Sequence, residues 1–253
     1  MKKRYIAALF FIFLHSHLCY AGDSALLSSP LESVKKDYRN FYLDGNNLIQ
    51  LGIGIAGAGV FANTSMDKDI QEKYTKNVKS ATTDDFSHIF RQPGEVYLTI
   101  PALLGTYAVF KDTATGEWAQ RSLRAIAVGA PGGLFMQWAT GGSPPSEGHS
   151  DWRPFNDNEG LSGHAFIGAV PFITAARMND NLYIKGALYA VSVLPALSRI
   201  NDDKHYFSQA AIGWYLAFLS CSAVAKTEDQ NEYSFFILPL SHKGLAVMVS
   251  RSF

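Results

Sequence analysis

Residues 161–176 read Leu-Ser-Gly-His-Ala-Phe-Ile-Gly-Ala-Val-Pro-Phe-Ile-Thr-Ala-Ala. A polar opening, Ser162-Gly163-His164, leads into an apolar run over 165–176. Twelve such residues are too many for an ordinary strand and suit a helix. Leu161-Ser162-Gly163-His164 therefore opens an apolar helix. The pattern recurs outward in both directions. Residues 48–62, 96–110, 125–140, 186–197 and 206–225 are also apolar and helix-length, most of them interrupted by glycine or proline. The expected fold class is therefore all-α, a bundle of about six core helices. Only 206–225 reaches the ~18 residues of a spanning helix. Sequence alone leaves open whether the other runs cross a membrane or form a soluble bundle.

The rest of the chain fits around this bundle. Ser29-Pro30-Leu31-Glu32 has the form of a capping box with proline at the first helical position, and predicts a short helix to about Tyr42. Gly52, Gly54, Gly57 and Gly59 lie in the 48–62 run, where small residues let another helix come close. The strongly charged stretch 66–79 reads as an exposed helix or a lid. In the tail, 234–240 and 245–252 flank Ser241-His242-Lys243-Gly244, which predicts a small C-terminal β-hairpin at the edge of the bundle. The longest irregular stretch, 141–158, lies between helices, and loops of that length in compact domains tend to be functional.

The first 21 residues look like a secretory signal. Lys2, Lys3 and Arg4 form a basic start, 6–14 an apolar segment, and Cys19-Tyr20-Ala21 a small-x-small cleavage site. Removal would leave one helical domain over 22–253, outside the cytoplasm, in the periplasm or on the envelope membrane. The full chain has 22 basic and 22 acidic residues. The signal takes three basic and no acidic ones, so the mature net charge is −3. No basic face invites a nucleic acid. Cys221 would then be the one remaining cysteine, which excludes an intrachain disulfide, and its apolar surroundings predict burial.

Two histidines stand out. His164 opens the quoted helix. His205 follows Ser198-Arg199 and precedes the next apolar run, with Gln209 four residues on. In Leu161-Ser162-Gly163-His164 and Ser198-Arg199-x5-His205-x3-Gln209 the sequence resembles the type 2 phosphatidic acid phosphatase superfamily, which includes vanadium haloperoxidases. Its three motifs are K-x6-R-P, P-S-G-H and S-R-x5-H-x3-D. The resemblance is specific over 140–215. It departs from the family at Leu161 for proline, at Gln209 for aspartate, and in the first motif. There Gln137 stands for lysine and Pro144-Pro145 for Arg-Pro; a second register uses Arg153-Pro154 with Ser146 for lysine.

The resemblance implies roles. His205 matches the histidine that attacks phosphorus, and His164 the one that protonates the leaving oxygen. Arg199 matches the phosphate-gripping arginine, whose planar fork binds two oxygens at once. Ser162 and the amides of Gly163 and His164 would meet the anion at a helix N-terminus. Arg153 is the expected replacement for a missing cation. Gln209 would orient His205 without a carboxylate's charge, so Gln209→Asp is expected to speed turnover; Asp202 or Asp203 are alternative partners. The implied function is an exported phosphatase acting on a phosphate monoester or pyrophosphate of an amphiphilic, lipid-type substrate, through a phosphohistidine and with membrane association. Haloperoxidase chemistry needs a strongly cationic pocket that this sequence lacks. The alternative from another class is a non-catalytic member that binds an anionic lipid headgroup or an assembly partner. No cofactor is implied, and His88, His149 and His242 show no metal-ligand spacing.

Overall fold

The computed structural model describes residues 30–240 and 244–251, with side chains over 31–230. The expected signal, 1–21, lies outside these residues. The chain is mostly helical. Its helices are α1 (Pro30–Tyr42), α2 (Gly45–Ala62), α3 (Met66–Asn77), α4 (Ala81–Phe90), α5 (Val96–Phe110), α6 (Ala114–Thr140), α7 (Gly163–Arg177), α8 (Leu182–Ser192), α9 (Leu194–Asn201) and α10 (Phe207–Glu232). The expected C-terminal hairpin is not supported as part of this fold. No side chain beyond 230 is described.

Helix boundaries follow from caps. Asp44 caps α2 by accepting from the N–H of Asn47 at 3.1 Å. Ser80 and Thr83 form a reciprocal capping box at α4. Thr113 caps α6. From there α6 extends well ahead of the apolar run at 125–140, because Glu117 and Arg121 pair one turn apart on its first polar turns. The run at 186–197 is split between α8 and α9. Pro195 has no N–H to continue a helix and instead sits in the first turn of a new one.

The main core draws its buried residues from α1, α2, α5, α6, α7 and α10. At its centre runs α10, packed against α1, α2, α6 and α7, with Leu216, Ala217 and Leu219 wholly excluded from solvent. Truncating Leu219 to alanine would cost about 2–5 kcal/mol by lost contact and cavity formation. At the end of the bundle away from the α10 N-terminus, Arg124 on α6 grips Asp37 on α1 with two hydrogen bonds of 2.7 and 2.8 Å, and Glu228 on α10 takes its third arm. A smaller cluster, Ala165, Ala196, Ile200 and Ala210, joins α7, α9 and α10 at the opposite end. Cys221 is buried, and burial pushes its thiol up to about 11.

The charged stretch 66–79 is not a loose lid. It contains α3, and four of its side chains clamp the link between α9 and α10. Asp67, fully buried, accepts from the N–H of Ser208 at 2.9 Å and also from its hydroxyl. Gln71 donates to the carbonyl of Ile200 and to Asp203, Tyr74 donates to Asn201, and Lys79 pairs with Asp203.

Candidate functional site

Two chain turns meet at that clamped end. The first opens α7. Ser162 is its N-cap: the hydroxyl accepts from the N–H of Ala165 at 3.2 Å, and the Ser162 N–H donates to the carbonyl of Gln209 at 2.9 Å. The side chain is fully buried and its oxygen is engaged in the cap, so Ser162 shapes the turn. Gly163 and His164 follow as the first two helical residues, whose N–H groups have no intrahelical partner.

The second turn joins α9 to α10. The carbonyl of Arg199 accepts from the N–H of Lys204 at 3.0 Å and of His205 at 3.2 Å, which folds the link back on itself. Asp203 takes φ 53° to complete the turn, a left-handed conformation that aspartate tolerates better than most residues.

Gln209, buried one turn along, fixes the state of His205. Its Oε1 accepts from the N–H of Tyr206 at 3.0 Å, and its Nε2 donates to the carbonyl of Ser143 at 2.8 Å. Those two bonds decide which end of the amide is oxygen. His205 Nδ1 lies 3.2 Å from that oxygen, so Nδ1 must carry the hydrogen. Nε2 then keeps a free lone pair. Burial, helped by the Arg199 guanidinium, pushes His205 down to about 4, so the ring is neutral near pH 7.

Nε2 faces Glu159, whose Oε2 is 3.5 Å away. Burial and the neighbouring Asp157 push the Glu159 carboxyl up, against the pull of Arg199. His164 points its Nε2 at Glu95, 3.3 Å from Oε2. Burial and Arg199 lower the His164 pKa, and Glu95 opposes them. Arg199, nearly buried, sends Nη1 to Asp202 at 3.3 Å, while its Nε is enclosed without an acceptor. The charge of Arg199 acts on both histidines, and that of His164 acts on His205. The structure thus brings His164, Arg199, His205 and Gln209 into one cluster, with Gly163 at its rim.

Other expected members lie elsewhere. Arg153 is exposed on the 141–162 loop. No described ion pair includes it, and the loop uses only its backbone, whose N–H donates to Gly141 and whose carbonyl accepts from Asn156. Gln137 donates to the carbonyl of Leu161 at 2.8 Å, tying the end of α6 to the first turn of the site. Asp202 accepts from Ser87 and Arg199, and Asp203 from Gln71 and Lys79, so neither partners His205. A surface hollow lined by Trp138, Phe155, Asn156, Asp157 and Asn158 includes neither histidine. Among the described residues no group of three or more metal-ligating side chains converges.

No family model, curated protein or solved structure matches this chain. The chemistry is therefore read from the residues themselves. A neutral imidazole with a fixed tautomer presents a nucleophilic nitrogen. A second imidazole near it can carry a proton, and a buried guanidinium beside both can hold an oxyanion. Three participants were not among the residues singled out in the sequence: Glu95, Glu159 and Arg91. Arg91 follows α4 and places Nη1 3.8 Å from the same Asp202 oxygen that Arg199 contacts. Glu159 alone had a signal, an acidic side chain just past the long irregular loop and ahead of Ser162.

Proposed function

We propose that the chain is an exported phosphatase that cleaves a phosphate monoester or pyrophosphate of an amphiphilic substrate through a phosphohistidine on His205. The observation that carries this reading is the fixed tautomer of His205: Nδ1–H is held by Gln209, and Nε2, left without the hydrogen, faces Glu159 in a ring on which the charges of Arg199 and His164 act.

In the proposed reaction, the Nε2 lone pair attacks phosphorus and the bond to the leaving oxygen breaks. His164, protonated, gives its proton to that oxygen. Arg199 holds the non-bridging oxygens, whose charge the transition state retains. Water then attacks the phosphohistidine, neutral His164 takes the water's proton, and the N–P bond breaks to restore the lone pair. Gln209 orients the ring but adds no charge to stabilise the cation formed. No cofactor or metal enters. Export by the segment 1–21, membrane association and a core of about six helices belong to the same proposal.

A second reading is favoured by Glu159. A carboxylate 3.5 Å from the attacking nitrogen occupies space that a phosphate group needs. In a non-catalytic member it would remain there, and the site would only bind an anionic headgroup or a partner.

The test is to trap the intermediate. The full chain, given a labelled lipid phosphate and quenched in alkali, should retain acid-labile phosphate that His205→Ala loses. Absence of the label from the wild-type protein, alongside no phosphate release, would give the binding reading first place.

A further inference from the structure

We propose that Arg91 is the second guanidinium of the site, and that a phosphate group is taken up between Arg91 and Arg199. This rests on the phosphatase reading, which is left short of cations where Gln137 and Pro144 replace the family's lysine and arginine.

The geometry carries the assignment. Arg91 and Arg199 approach the same oxygen of Asp202, at 3.8 and 3.3 Å, so their forks lie side by side. Two guanidiniums share the one carboxylate, and Glu95 and Glu159 also act on Arg199. The Nε atoms of both are enclosed with no acceptor. A buried donor without a partner is costly unless a ligand supplies the acceptor. The Arg199 side chain is nine-tenths buried, so bulk water is a poor substitute. Each arginine would have an Nε–H to give to an oxyanion held by both.

The backbone fixes Arg91 in place. Its carbonyl accepts from the N–H of Gly94 at 2.9 Å, closing the turn Gln92–Gly94. Gly94 lies directly against the start of α7: a Cβ there would come within 2.6 Å of the His164 carbonyl oxygen, so the approach requires glycine. Glu95, next in sequence, pairs with the His164 ring. One short turn thus sets a cation and the partner of the acid histidine in the same place. The charge of Arg91 acts on both His164 and Arg199. A cation after α4 also suits that helix's C-terminus, but that role explains neither the shared carboxylate nor the empty Nε.

Calorimetric titration of the full chain with inorganic phosphate tests the assignment. Arg91→Gln should weaken phosphate at least tenfold, with Arg91→Lys intermediate because it keeps the charge and loses the fork. Arg199→Gln should weaken it further. Arg39→Gln on α1 serves as a control for general charge loss and should change nothing. Circular dichroism of each variant checks that it is folded. If Arg199→Gln loses phosphate while folded Arg91→Gln binds as wild type does, the site stands and the role of Arg91 is overturned. If the wild-type chain takes up no phosphate, the phosphatase reading falls and this assignment with it.

Discussion

At His205, burial and the Arg199 guanidinium both favour the neutral ring and hold its pKa near about 4. His164 must be protonated to act as an acid, and its pKa lies below the ordinary 6.5. In the proposed mechanism the rate rises as pH increases through about 4, where His205 loses its proton, and falls as pH passes the lowered value of His164. The kcat/KM profile should therefore be a bell on the acid side of neutrality; a maximum above pH 7 would exclude His164 as the acid. Glu159 acts in the same direction, since its raised pKa lets it take a proton as pH falls and removes a negative charge beside Nε2. Glu159→Gln should raise kcat/KM severalfold at pH 7 and less at the acid optimum. Stability follows a related sign. Unfolded His205 binds its proton near pH 6.5 and the native ring only near about 4, so stability is present above the first value and lost as pH falls to the second. At about 1.4 kcal/mol per unit, that loss is about 3 kcal/mol, readable in urea unfolding at the two pH values. At Gln209 the gain expected from aspartate meets a structural cost. Aspartate there would be one carbon shorter and could not donate to the Ser143 carbonyl, which Gln209 now satisfies at 2.8 Å. Gln209→Asp should therefore lower stability by about 1–3 kcal/mol, and any gain from its charge would be offset by a displaced ring. The test is to compare turnover with unfolding midpoint; a faster enzyme of unchanged stability would show that the Ser143 bond is dispensable.

Helix α3 places its influence on the element that carries the site. The Asp67 carboxylate accepts from the second residue of α10 and so caps that helix from another element. Burial pushes the Asp67 carboxyl up, opposed by its two bonds to Ser208. Asp67→Ala leaves the Ser208 N–H without its acceptor and should cost about 1–3 kcal/mol. Hydrogen exchange should then quicken over 200–208, while amides of α1 keep their protection; uniform quickening would mean that α3 is not a local clamp. This helix marks where sequence reading stops. The periodic apolar runs disclosed most of the core helices, because burial of one face repeats along the chain. The roles of Asp67 and Gln71 could not be read that way. Each makes two polar bonds to groups more than 120 residues away, with no period to betray them. His164, Arg199, His205 and Gln209 were legible because two short local patterns hold them. Glu95 and Arg91 were not, since only packing of Gly94 against the α7 start brings them there. Arg153 shares a loop with the site, and that loop leaves its side chain exposed.

Across the whole molecule, the distribution of apolar surface remains to be explained. Helices α2 and α5 contain no charged residue, yet each leaves large apolar side chains in the open. Ile49, Ile53 and Val60 are exposed on α2, and Tyr97, Leu104 and Val109 on α5. Scattered exposed apolar residues are ordinary, but uncharged helices exposing several each are the pattern of a membrane or partner surface. Their placement relative to the site is informative. The end of α2 meets the 141–162 loop, where Ala62 accepts from Ser150 and Asn63 accepts from the N–H of Trp152. Helix α5 begins immediately after Glu95, the partner of His164. Both apolar helices therefore start or finish at the site end. An amphiphile whose headgroup reached Arg199 would have apolar protein surface alongside it. Among the described residues, α10 is the one single helix long and apolar enough to cross a bilayer, and most of it is enclosed within the bundle; α2 and α3 pass the same test only as a bent pair. Surface association through α2 and α5 fits this arrangement better than insertion of α10. Flotation with vesicles of zwitterionic and anionic phospholipid should carry the full chain upward. Ile53→Lys with Val109→Lys should release it, because each charge placed in the apolar contact opposes its transfer from water. Neither residue is buried, so the variant should remain folded. High salt should leave the wild-type chain bound, since apolar contact is not screened as surface charge is. A chain that stays with the aqueous fraction as a dimer, and whose dimer the same two substitutions split, would assign these faces to a second copy instead.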